Sequence, residues 1–141
     1  MPIFYANQMS TKKSLLYTRE FLRQEKDLTV EVQIVVRALL IEVLLTEGMN
    51  LASGSLLKAL GNGLWEFRIG RNIKSVLKGV GVFLTPNTKN MKILIRVFCS
   101  FEEEGILLLG CYDKLRHGGD RAQNNAINKA RSLLLTFRGG K

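Results

Sequence analysis

Two arginines stand inside otherwise apolar runs, Arg68 in Leu64-Trp-Glu-Phe-Arg-Ile69 and Arg96 in Leu94-Ile-Arg-Val-Phe98. A guanidinium is always protonated and grips an oxyanion with two parallel donors, so a pair of them suits a phosphate-bearing ligand. The plainer reading is a counter-ion for Glu66 or Glu102 on a solvated sheet face, and it explains an arginine in mid-strand less well. Tyr112, Asp113 and Lys114 close the next apolar run and add a phenol, a carboxylate and an amine. Cys99, Cys111 and His117 have no zinc-like spacing, so neither a metal nor a cofactor is expected.

The elements that must position these groups centre on residues 94–114. Two partly β-branched runs separated by Glu102-Glu103-Glu104-Gly105 predict an antiparallel hairpin. A three-residue loop Glu103-Glu104-Gly105 with glycine left-handed would place Glu102 opposite Ile106. Arg96 then faces Tyr112, Phe98 faces Gly110 and Leu94 faces Lys114. Alternation puts Val97, Cys99, Phe101, Leu107, Leu109 and Cys111 on a core face, and Arg96, Ser100, Tyr112 and Lys114 on the other. The two cysteines lie diagonally on that core face, too far apart for an unstrained disulfide, and read as buried hydrophobes. The strand Leu64–Ile69 alternates cleanly, with Trp65, Phe67 and Ile69 inward and Glu66 and Arg68 outward. Paired beside 94–101, it brings Glu66 and Arg68 to Arg96, Tyr112 and Lys114 on the uncovered face.

Charge is uneven along the 141 residues. Residues 1–63 hold seven Lys/Arg against six Asp/Glu, a net of +1, whereas residues 64–141 hold fourteen against six, a net of +8. Nearly all of the overall +9 therefore surrounds the hairpin. Such a surface attracts polyanions, nucleic acid first among them; an acidic protein partner is the alternative. No run of 18 apolar residues and no basic-then-apolar leader is visible, which predicts a cytoplasmic protein without membrane contact.

Elsewhere, Ile3–Tyr5 reads as a short strand and Thr11–Arg23 as an amphipathic helix. Thr29–Glu47 alternates like a strand at its start, but its length and the stop at Gly48 favour a helix, giving an N-terminal helical hairpin. Ser55–Leu60 reads as a short helical piece before the turn residues Asn62-Gly63. Asn72–Lys78 reads as a short basic helix, and Gly79–Asn90 as a loop containing Pro86. Asp120 with Gln123 resembles a capping box that opens a helix from Arg121 to Phe137. No repeat or linker interrupts the chain, so one domain is expected over residues 1–141. Its class is α+β: a helical hairpin packed on a three- or four-stranded antiparallel sheet, with a C-terminal helix.

Gly63-Leu-Trp-Glu-Phe-Arg-Ile69, Leu94-Ile-Arg-Val-Phe98 and Leu108-Leu-Gly-Cys-Tyr-Asp-Lys114, followed by an Arg/Gln/Asn-rich helix start, resemble the RelE/ParE toxin superfamily, in its phage-derived HigB-like branch. The likeness runs over about residues 14–137. It implies a RelE-like fold with residues 71–90 as a variable basic insertion, and a toxin of a type II toxin–antitoxin module. The activity implied is metal-independent, ribosome-dependent mRNA cleavage, with mRNA on the ribosome and a cognate helix-turn-helix antitoxin as partners. Without a metal, a 2′-hydroxyl attacks the adjacent phosphate, and the developing charge needs fixed cations. By this likeness Arg68, Arg96, Tyr112, Asp113 and Lys114 are the catalytic candidates. Tyr112 could stack on a base or move a proton, and Asp113 is a second candidate base. Arg71, Lys74, Lys78 and Arg116 are candidate RNA ligands; the insertion's charges could instead only solubilise it. The superfamily also implies two alternatives, a ParE-like gyrase inhibitor and an inactive phage relic that binds only an antitoxin or RNA.

Overall fold

The computed structural model describes residues 14–70, 73–82 and 91–139. Asn62 and Gly63 take left-handed conformations (φ 56° and 84°), the geometry of a two-residue hairpin turn. They join β2 (Leu57–Gly61) to β3 (Leu64–Ile69). The helical piece expected at Ser55–Leu60 is therefore mostly strand, because the Asn-Gly turn folds it back along β3. Beyond β3 follow α3 (Ile73–Gly79), β4 (Ile95–Phe101), β5 (Gly105–Asp113) and α4 (Asp120–Phe137).

Upstream of them, the chain opens with β1 (Ser14–Tyr17), α1 (Arg19–Glu25) and α2 (Val30–Leu39). The single helix expected over Thr11–Arg23 thus divides within the described residues. The hydroxyl of Thr18 makes the break: it accepts from the Phe21 N–H at 3.1 Å and donates to the Leu108 carbonyl at 2.8 Å. It caps α1 and pins that start to the sheet. Thr11–Lys13, like the strand expected at Ile3–Tyr5, lies outside the described residues.

The sheet order is β1-β5-β4-β3-β2, with β1 parallel to β5 and the other pairs antiparallel. The α+β class holds, but the sheet is mixed and has five strands among the described residues, rather than three or four antiparallel ones. Beyond Leu108 the outer edge of β5 has no strand partner among the described residues. There Gln24 of α1 accepts from the Cys111 N–H at 2.8 Å.

One face of the sheet is covered by α1 and α2. The α2 helix runs on through a wide π-helical turn, Leu40–Leu44, to Glu47, and ends at Gly48 (φ 54°). Val32, Val35, Val36, Leu39, Leu40, Val43 and Leu44 pack with Phe21, Phe67, Val97, Cys99 and Leu108. Trp65, expected with this core, is only partly buried and lies edge-on to Phe101. Burial pushes the thiols of Cys99 and Cys111 up to about 12, so both stay protonated and inert. Glu25 and Arg37 tie α1 to α2 with a bond of 2.6 Å, and the guanidinium lies 4.3 Å from the centre of the Tyr17 ring.

The hairpin register is as expected for Arg96 with Tyr112 and Phe98 with Gly110, and the Lys114 N–H bonds the Leu94 carbonyl. Near the turn it differs. Glu102 and Gly105 exchange both backbone bonds, so the loop is only Glu103-Glu104, and Gly105 (φ 159°) is closer to extended than left-handed. A bulge at Leu109 absorbs the extra residue: Phe98 faces Gly110, while Cys99 faces Leu108. The bulge turns Leu107 and Leu109 to the face opposite Val97 and Cys99, where they meet Ala130 and Leu134 of α4. That second face is therefore covered over much of its area, not bare. The cap of α4 also shifts. Gly119 is the capping residue, its carbonyl accepting from Gln123 N–H, and Asp120 lies in the first turn without a capping bond. No helix among the described residues is long and apolar enough to cross a membrane.

Candidate anion-binding site

Where α4 leaves the second face, three neighbouring strands present a row of polar side chains. Arg68 on β3 lies directly opposite Arg96 on β4, and Arg96 lies opposite Tyr112 on β5. The pairing of β3 with β4 and the strict alternation of side chains bring them together. Two residues before Arg68, Glu66 points the same way, opposite Phe98. The Phe98 and Tyr112 rings stack at 6.0 Å and 9°, which fixes the phenol at the end of the row.

Glu66 is the hub of this group. Its Oε1 lies 3.2 Å from Arg68 Nε and 4.0 Å from Arg96 Nε, and the carboxylate is 1% exposed. Access falls from one arginine to the next: the Arg68 side chain is 37% exposed and that of Arg96 10%. The contacts are charge pairs without hydrogen-bond alignment. Glu66 Oε2, both Nε atoms, the Tyr112 hydroxyl and the Ser100 hydroxyl are all buried without a hydrogen-bond partner. A buried polar atom left unmatched is costly, and four of these five belong to one cluster. Ser100 lies four residues along β4 from Arg96.

Burial pulls the Arg96 pKa below the usual arginine value; Glu66 opposes that shift and Arg68 adds to it. The side chain nonetheless stays a cation at neutral pH. Burial raises the Tyr112 pKa, Glu66 raises it further and Arg96 offsets part. The phenol therefore keeps its proton and serves as a donor, not a base.

Arg68 and Arg96 line a cavity of about 270 Å³ at the end of β3, whose apolar wall includes Leu39, Leu56, Ile73, Val76 and Leu94. A second cavity, about 460 Å³, shares Gly70, Ile73 and Leu94 with the first and is lined by Lys74 and Lys92. Lys74 is thus brought to the neighbourhood of the arginines, while Lys78, farther along α3, is exposed and lines neither.

Of the remaining candidates, Lys114 shares the alternation of Tyr112 and is partly buried opposite Leu94. Asp113 alternates to the other side of β5, where its Oδ1 accepts from the Leu115 N–H at 2.9 Å and shapes the turn. Arg116 is exposed and donates to the Asp27 carbonyl at 3.2 Å, tying this turn to the α1–α2 connection. His117 is exposed in the same turn. Arg71 lies outside the described residues. Glu66, expected beside Arg68 on this face from its i, i+2 spacing, is the member that contacts both arginines, although it is not among the catalytic candidates. Among the described residues no three His, Cys, Asp or Glu side chains gather as metal ligands. Comparisons of the chain with protein-family models, curated proteins and solved structures give no match.

Proposed function

We propose that the protein is a toxin of the RelE/ParE kind, HigB-like, that cleaves mRNA on the ribosome without a metal and is held in check by a helix-turn-helix antitoxin. The observation that carries this reading is the Arg68–Arg96 pair, set face to face on adjoining strands with the Tyr112 phenol next in line. In such a site the RNA 2′-hydroxyl attacks the adjacent phosphorus, its proton passing to solvent water, and the 5′-oxygen leaves. Both guanidinium groups stabilise the extra negative charge on the phosphorane, and the protonated Tyr112 supplies a proton or hydrogen bond to the leaving oxygen. Lys114 and Lys74 add positive charge along the RNA backbone.

A specific observation favours a second reading, binding without cutting, as in a ParE-like gyrase inhibitor or a relic that binds only RNA or its antitoxin. The Tyr112 phenol holds its proton and the Asp113 carboxylate is committed to a turn on the other side of the strand. Neither is free to take the proton of the 2′-hydroxyl.

The deciding experiment adds purified protein to ribosomes programmed with mRNA and maps the new 5′ ends, with Arg96→Ala in parallel. Cleavage within the A-site codon by the wild type alone is the expected result. Intact mRNA with trapped gyrase–DNA breaks would move the assignment to the gyrase inhibitor, and neither product would leave only the binding relic.

A further inference from the structure

We propose that Glu66 is a built-in counter-ion of the Arg68–Arg96 anion site, supplying the negative charge that a phosphate of the ligand would otherwise bring. This rests on reading those arginines as phosphate ligands, but not on cleavage. Two like charges placed directly across a strand pair repel, and the Glu66 carboxylate, 1% exposed, neutralises one of them. Yet it fits them badly. It reaches Arg68 Nε at 3.2 Å and Arg96 Nε at 4.0 Å, completes a hydrogen bond with neither, and leaves its own Oε2 unmatched.

A carboxylate fixed to β3 cannot turn to meet donors on three strands. A phosphate entering from solvent can: its oxygens accept from both guanidinium groups and from the Tyr112 hydroxyl, which also lacks a partner. The exposed side of Arg68 and the cavity that it lines with Arg96 give such a group a way to the two guanidinium groups. Glu66 therefore acts as a threshold. A lone phosphate gains too little from a pair that is already half neutralised. A phosphodiester chain, which also draws on Lys74 and Lys114, gains enough. The side chain selects polymeric over free phosphate.

The test compares wild type with Glu66→Gln in thermal unfolding titrated with inorganic phosphate against chloride at matched ionic strength. A short single-stranded RNA is titrated in parallel. Glu66→Gln should acquire a phosphate-dependent rise in Tm that the wild type lacks, and should bind the RNA about tenfold tighter or more. Adding Arg96→Gln should abolish both gains. Should Glu66→Gln fail to fold in chloride, phosphate should restore folding by replacing the missing counter-ion. No phosphate response in a folded Glu66→Gln, or no rescue of an unfolded one, overturns the proposal. That result combined with Arg96-dependent mRNA cleavage would reject the threshold and leave the nuclease reading standing. A gain in Glu66→Gln combined with no cleavage by the wild type would do the reverse.

Discussion

Arg68 and Arg96 are direct cross-strand partners, yet one side chain is about four times as exposed as the other. Their stabilities to truncation should differ accordingly. Arg96→Ala removes a nearly buried guanidinium and leaves Glu66 facing Arg68 alone, which should cost about 1–3 kcal/mol. Arg68→Ala trims a half-solvated partner and should cost under about 1 kcal/mol. Urea unfolding of the two variants measures the contrast. Equal losses would mean that Glu66 depends on the two arginines alike.

Lys74 and Lys78 share the short helix α3, but only Lys74 lines the cavity beside the arginines. If RNA follows that groove, Lys74 meets a phosphate and Lys78 does not. Each phosphate neutralised on a single strand adds about 0.7 to the slope of log affinity against log salt. Lys74→Ala should flatten the slope by about that amount, and Lys78→Ala should leave it unchanged. Fluorescence anisotropy with labelled RNA over a salt series reads both, and equal effects would make the insertion a diffuse basic surface.

Much of this arrangement is legible in the sequence, and the exceptions share a physical origin. The Arg96–Tyr112 pairing follows from alternation counted along the hairpin. The same count fails at Leu107 and Leu109, because a bulge adds one residue that no local pattern marks. The error hid the docking face of α4, because Leu107 and Leu109, which that helix covers, were assigned to the core side. The two strands read as helix were lost differently. Leu15-Leu16-Tyr17 becomes a strand only because β5 is there to pair with it. For β2 the Asn62-Gly63 turn was itself the hairpin signal. The position of Glu66 between both arginines needed the β3–β4 register, which no single strand contains.

Glu20 links α1 to α4, accepting from Arg23, from Gln24 at 3.1 Å and from Lys129 at 3.5 Å. The Arg23 hydrogen bond holds its pKa below the ordinary 4.5, Lys129 lowers it further, and burial opposes them in part. The unfolded chain thus binds this proton more tightly than the folded one. The stabilisation is complete above the unfolded value and is lost as pH falls through the lower, folded one. Glu20→Gln should therefore flatten the fall of Tm between roughly pH 5 and pH 3, with little change near neutrality. An unaltered acid limb would place the acid sensitivity in other carboxylates.

Gly105 holds the parallel pairing of β1 to β5. A Cβ at this position would fall 2.0 Å from the Ser14 carbonyl oxygen, a backbone atom that cannot swing aside. Gly105→Ala must therefore push β1 away from the edge of β5, weakening the bonds from Ser14 to Tyr17 and the seat of Thr18 on the Leu108 carbonyl. Overpacking of this kind costs about 1–3 kcal/mol. The loss should be local as well as global: amide exchange should quicken at Leu16 and Thr18, whose N–H groups face β5, and stay slow in β4, where Val97 and Phe98 pair on both sides. Uniform loss of protection across the sheet would show instead that β1 is integral to the cooperative unit. Unchanged exchange at β1 would mean that the strand does not lie against Gly105 in solution.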